Sequence, residues 1–108
     1  MITKDKVFII TGASAGIGSE LAYQLAEKGA HVVCAARTMT KLETVCKNIE
    51  NKNGSAIPIQ ADITNKDQCE KVISQTIKTF NRIDGLVLNA GISMWAKFDK
   101  IKDVSFFK

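Results

Sequence analysis

Three times in succession a short, unbroken apolar run is followed by a stretch whose apolar residues recur at helical spacing, and few folds accept that alternation. Lys6 to Ile10 reads as a first strand. Ile17, Leu21, Ala22, Leu25 and Ala26 then follow in helical rhythm, with Gly29 where a helix C-terminus belongs. Ala30 to Ala36 is a second strand, too short to form a helix of its own. Thr40 and Glu43 read as a capping box ahead of Leu42, Val45, Cys46 and Ile49, so a second helix runs to about Asn51, where Asn53-Gly54 breaks it. Ser55 to Gln60 is a third strand. Thr64 reads as the cap of a third helix with Val72, Ile73, Ile77 and Phe80 on one face, and Asp84 to Leu88 is a fourth strand.

Strands that are apolar throughout must be covered on both faces, which predicts an α/β fold with a doubly wound parallel sheet of strand order 3-2-1-4. Pro58 fits that order, because proline cannot donate to a ladder and the third strand lies at the edge. Asp103 to Lys108 reads as the opening of a further helix. On that reading Leu86-Val87-Leu88 is left as an exposed apolar edge, and the 108-residue chain alone is expected to be poorly soluble, self-associating or partly unfolded.

Bulk properties narrow the function. The net charge is +4 with a pI near 9.1, but lysines and acids alternate without a dense basic stripe, which argues against nucleic acid as a partner. No apolar run approaches the ~20 residues that span a membrane, and the first strand starts too early for a signal peptide, so the expected location is cytoplasmic. Cys34, Cys46 and Cys69 have no metal-ligand spacing and suit buried thiols in a reducing compartment. His31, the single histidine, reads as the start of a strand.

Between the first strand and first helix lies TGASAGIG, residues 11–18. At such a junction free backbone N–H groups and the positive end of the helix dipole face outward, an arrangement that suits a phosphate. Glycines there permit a tight turn, close approach of backbone to a pyrophosphate, and close packing of helix on strand. The Ser14 hydroxyl could reach a phosphate or ribose oxygen. No Gly-Lys-Ser/Thr follows, which disfavours a nucleoside-triphosphate loop; a strand–helix turn without a ligand is the other reading. Roughly 20 residues further on, where a fold preferring NAD carries an acid, the chain has Ala36-Arg37-Thr38. A guanidinium suits a 2′-phosphate and Thr38 adds a donor, so NADP is favoured over NAD. A solvated arginine at a strand end is the alternative.

Taken together, these residues resemble the short-chain dehydrogenase/reductase family. Thr11, Gly12, Gly16 and Gly18 match Thr-Gly-x-x-x-Gly-x-Gly; Asp62-Ile63 follows the third strand, and Asn89-Ala90-Gly91 the fourth. The resemblance covers essentially the whole chain. It implies a Rossmann-type NAD(P)-binding domain, of which residues 1–108 are the N-terminal part with the second half missing. It further implies that Gly12, Ser14, Ala15, Gly16, Ile17 and Gly18 wrap the pyrophosphate, Ile17 through its backbone. Arg37 and Thr38 would hold the 2′-phosphate, Asp62 would accept from the adenine amino group, and Ile63 would cover the ring. Asn89, Ala90 and Gly91 would stiffen the sheet and line the adenosine ribose.

The implied activity is hydride transfer between NADP(H) and a small-molecule carbonyl or alcohol, in a full-length homo-oligomer. Gly91 to Trp95 and Val104 to Phe107 are similar to the branch acting on steroids and other apolar alcohols or ketones, although Met94, Trp95 and Phe98 also read as packing residues. The family's catalytic tyrosine, lysine and serine and its relay asparagine are expected beyond Lys108. Tyr23, the single tyrosine, has Glu27 four residues on in place of lysine, so no catalytic residue is assigned within the chain. A non-catalytic half-Rossmann module that binds a nucleotide or a partner chain is the alternative.

Overall fold

The computed structural model describes residues 3–89 and 104–106, the last three by backbone alone. Five parallel strands form one sheet in the order β3-β2-β1-β4-β5: β1 is Val7–Thr11, β2 His31–Ala36, β3 Ser55–Gln60, β4 Gly85–Leu88 and β5 Val104–Phe106. Helices α1 (Gly16–Glu27), α2 (Met39–Asn51) and α3 (Lys66–Phe80) connect the first four strands. The register aligns Ile9 with Val33 and Leu86, and Val33 with Ile57. The expected α/β architecture and the order 3-2-1-4 are present.

The period-two alternation of the strands divides the core into two layers. Val7, Ile9, Val33, Ile59, Leu86 and Leu88 face α3 and pack with Cys69, Val72 and Ile73. Ile10, Val32, Cys34, Ala56 and Val87 face α1 and α2, meeting Ala22, Ala26, Leu42, Val45 and Ile49. Both faces being covered is why the strands carry no polar alternation. All three cysteines are buried and none is in a disulfide. His31 begins β2, where its Nδ1 lies 2.8 Å from the Ser55 hydroxyl and its ring stacks on Phe80.

Pro58 sits on the outermost strand. Ala61 N–H donates inward to the Ala36 carbonyl, so alternation back along β3 turns the Pro58 nitrogen away from β2, where no ladder bond is lost. Gly29 adopts φ +91° directly after α1, and its N–H and that of Ala30 return to the Ala26 and Leu25 carbonyls, a left-handed C-terminal stop.

Three expectations need correction. The second helix begins earlier than a Thr40–Glu43 box requires: Thr38 is its N-cap, with no capping bond from its side chain, and Thr40 already lies in the first turn. A residue with helical backbone cannot occupy the extended N-cap position. The third helix is capped by Asn65, whose Oδ1 accepts from Gln68 N–H at 3.1 Å. Thr64 donates instead to Asp62. Finally, Val104–Phe106 is a strand rather than a helix start. It pairs with β4 in the register Leu86↔Val104 and Leu88↔Phe106, so β4 is not the edge strand; β5 is. Unpaired ladder groups on β4 attract a short segment flanked by Val and Phe, residue types that favour strands.

Candidate functional site

The chain reverses direction of winding between β1 and β4, and the loops that leave the carboxyl ends of β1, β2 and β3 gather at one cleft. Its lining includes Gly12, Ser14, Arg37, Thr38, Asp62 and Ile63, and it encloses about 510 Å³. Six of the residues singled out by sequence thus meet in one place. Ala15, Gly16, Ile17 and Gly18 adjoin it as the start of α1. Asn89, directly after β4, bonds the Gly12 carbonyl, whereas Ala90, Gly91, Met94, Trp95 and Phe98 lie outside the described residues.

The β1–α1 turn is built by its glycines. Gly12 and Gly16 have φ of +64° and +61°, left-handed values that side chains disfavour. A Cβ on Gly18 would collide with the Gly12 carbonyl oxygen, and one on Gly12 would stand 2.9 Å from Asn89 Nδ2. At Gly16 a Cβ would meet nothing within 4 Å, so that glycine faces open space rather than protein.

The helix it opens has an N-cap, Ala15, that offers no side-chain acceptor, and no acid in its first turn. By contrast α3 has the Asn65 cap and Asp67. The amino end of α1 therefore keeps its N–H groups and the positive end of its dipole for an external anion. Ile17 beside it is 54% exposed, the one large apolar side chain left open among the described residues.

Behind the turn, Thr11 is fully buried and bridges two strands. Its hydroxyl donates to Val87 O at 3.4 Å and accepts from Asn89 N–H at 3.0 Å, while Asn89 Nδ2 donates to Gly12 O at 3.3 Å. Thr11 and Asn89 thus fix Gly12 to β4.

On the opposite wall, Asp62 Oδ1 accepts from the Thr64 hydroxyl at 2.6 Å and from Thr64 N–H at 2.9 Å. These bonds, then the positive charge of Arg37, hold the Asp62 carboxyl below its ordinary range, so it stays an anionic acceptor. Arg37 and Thr38 are exposed, and the Thr38 hydroxyl makes no capping bond that would occupy it.

The chemistry of this donor set fits a dinucleotide: amide donors and a side-chain-free approach for a pyrophosphate, a cation beside them, and an acceptor on the far wall. Among the described residues no group of three His, Cys, Asp or Glu residues could hold a metal ion.

Tyr23 lies elsewhere, in a separate cleft of about 230 Å³ with Glu27, Gly29, Lys52 and Asn53, and its hydroxyl accepts from Asn48 Nδ2. Sequence reasoning missed Gln60, Gln68 and Lys71, which stand beside Arg37 and Asp62 in an adjoining cleft. Their proximity depends on strand register, which no local pattern encodes. No helix among the described residues is long and apolar enough to cross a membrane.

Comparison with known proteins agrees with the fold. A model of the short chain dehydrogenase family matches residues 6–108. An oxidoreductase of Listeria monocytogenes, itself uncharacterized, is 41% identical over 103 residues, which are 95% of this chain and 42% of that protein. A metagenomic short-chain oxidoreductase solved in complex with NADP superposes with a TM-score of 0.78 at 34% identity, covering 83% of this chain and 41% of that one. A 7α-hydroxysteroid dehydrogenase solved with NADH and 7-oxo glycochenodeoxycholic acid gives 0.80 at 34% identity, covering 83% and 35%. The chain spans between about a quarter and two fifths of the length of the proteins it matches.

Proposed function

The chain belongs to the short-chain dehydrogenase family, and from that premise we propose that it is the N-terminal NADP-binding part of an oxidoreductase that moves a hydride between NADP(H) and a carbonyl or alcohol. The observation that carries this reading is the uncapped amino end of α1, which opens beside the cleft where Arg37 and Thr38 stand exposed. A bound nicotinamide cofactor supplies the hydride chemistry; the residues described here bind and orient. The N–H groups of the 12–18 turn hold the pyrophosphate, Arg37 and Thr38 hold the 2′-phosphate, and ionised Asp62 accepts from the adenine amino group with Ile63 against the ring. Asn89, with Ala90 and Gly91 after it, braces the adenosine side. The substrate class we favour is an apolar ketone or alcohol, supported by the likeness to a hydroxysteroid dehydrogenase. A homo-oligomer in the cytosol is the accompanying expectation, the latter supported by three buried cysteines, none of them in a disulfide.

Cofactor preference rests on charge. A guanidinium makes charge-assisted hydrogen bonds to a phosphate that a ribose hydroxyl cannot match. Titrating the full-length protein with NADPH and with NADH tests this. NADPH is expected to bind more tightly, and Arg37→Ala to weaken it about ten-fold or more while leaving NADH nearly unchanged. Equal affinities for the two cofactors before and after the substitution would overturn the preference.

A further inference from the structure

Only two residues, Arg37 and Thr38, separate the end of β2 from the start of α2. All three backbone carbonyls across this corner are tied. Ala36 O accepts from Ala61 N–H at 2.9 Å, and Thr38 O from Leu42 N–H at 3.3 Å. The middle one, Arg37 O, lies beyond the last rung of the β2–β3 ladder, since the final register pair is Ala36↔Gln60. It is met by a side chain instead: Gln60 Nε2 donates to it at 2.9 Å. Gln60 is held in turn from α3, because Lys71 Nζ donates to the Gln60 carbonyl at 3.0 Å. One turn earlier on that helix, Gln68 Oε1 accepts from Asp62 N–H at 2.6 Å.

We propose that Gln60 is a positioning residue for recognition of the 2′-phosphate: its amide extends the β2–β3 ladder by one rung and fixes the backbone from which Arg37 projects. The inference rests on the cofactor reading above and adds a residue to it. Arg37 is long and exposed, so its side chain has many rotamers, and the fixed Cα is what keeps the guanidinium within reach of one phosphate. Without the Gln60 bond, Arg37 O turns to water and the corner gains freedom that binding must remove. Lys71 contributes at one remove, by holding the strand end that carries Gln60.

A role confined to the corner predicts a selective effect. Gln60→Met keeps the length of the side chain and removes its donor, and residue 60 is exposed, so the fold is retained. Binding of NADPH and of NADH to the full-length protein is followed by the change in nicotinamide fluorescence. Gln60→Met is expected to weaken NADPH about five-fold, the equivalent of one neutral hydrogen bond, with NADH within two-fold of wild type. Lys71→Met is expected to give a smaller change of the same selectivity.

Equal weakening of both cofactors would make Gln60 a merely structural residue and overturn the proposal. So would an unchanged NADPH affinity in Gln60→Met while Arg37→Ala abolishes the preference. If wild type and Arg37→Ala alike show no preference for NADPH, it is the cofactor reading beneath the proposal that fails.

Discussion

A methyl group at Gly18 would collide with the Gly12 carbonyl oxygen, whereas one at Gly16 would enter empty space. The two glycines therefore answer different demands, close packing of α1 on β1 in one case and room for a ligand in the other. Gly18→Ala should force α1 away from β1, with a loss of about 3 kcal/mol, the upper range for overpacking a tight contact. Gly16→Ala should cost about 1 kcal/mol, because the left-handed φ of +61° disfavours a Cβ but nothing obstructs it. Its larger effect should be on NADPH, bound about ten-fold more weakly because the methyl group stands where the backbone is otherwise bare. Denaturant unfolding and NADPH titration of both variants separate these roles. A Gly18→Ala protein as stable as wild type would refute the packing assignment. The spacing of these glycines was legible in the sequence, because a turn needs particular residue types at particular offsets. Their division of labour was not, since it depends on where the Gly12 carbonyl and Asn89 come to rest.

At the level of elements, β3 coincides with its sequence reading at both ends, β2 and β4 each begin one residue later than read, and β1 lies one residue further along at both ends. An apolar run bounded by polar or glycine residues admits little freedom of assignment. Helix starts were less legible because Thr38, Thr40, Thr64 and Asn65 are all plausible caps, and the path of the preceding loop selects among them. At α3 the loop spends Thr64 on Asp62, leaving Asn65 to satisfy Gln68 N–H. Asn65→Ala should therefore lower stability by about 1 kcal/mol, the usual value of an N-cap, and Asn65→Asp should retain most of it. Thr64→Ala should leave helix stability nearly unchanged and act on Asp62, whose carboxyl rises toward its ordinary range on losing the hydroxyl donor. Urea midpoints measure the first effect; a carbon-detected titration of the Asp62 carboxyl measures the second. A Thr64→Ala loss as large as that of Asn65→Ala would return the capping role to Thr64. The β5 pairing was misread for a further reason: Val-Ser-Phe suits either period, and the partner that decides is β4, distant in sequence but adjacent in the sheet.

The molecule as a whole depends on the join between β1 and β4, where the winding reverses and residues nearly 80 apart in sequence must meet. Phe8, Ile9 and Ile10 pair there with Gly85, Leu86 and Val87. At the amino ends of these strands a single carboxylate locks the join. Asp84 Oδ2 accepts from Val7 N–H at 2.8 Å, Asp84 N–H donates to Val7 O at 2.8 Å, and Arg82 grips both carboxylate oxygens at 2.7 Å. The side chain of Asp84 is only 8% exposed. Arg82 is the main cause holding its carboxyl below the ordinary range, with the Val7 N–H assisting and burial opposing. A group whose pKa is lower folded than unfolded stabilises the fold above its unfolded value, near 3.9 for aspartate, and loses that contribution as pH falls through the folded value. Asp84→Asn should thus be less stable than wild type at pH 7, and the gap should close as the pH is lowered from about 5 towards 2. Asp84→Ala also strips Val7 N–H of its acceptor, so a deficit of about 1 to 2 kcal/mol should persist at the acid end. Urea unfolding across that range tests both. An Asp84→Asn deficit that does not change with pH would locate the loss in packing rather than charge.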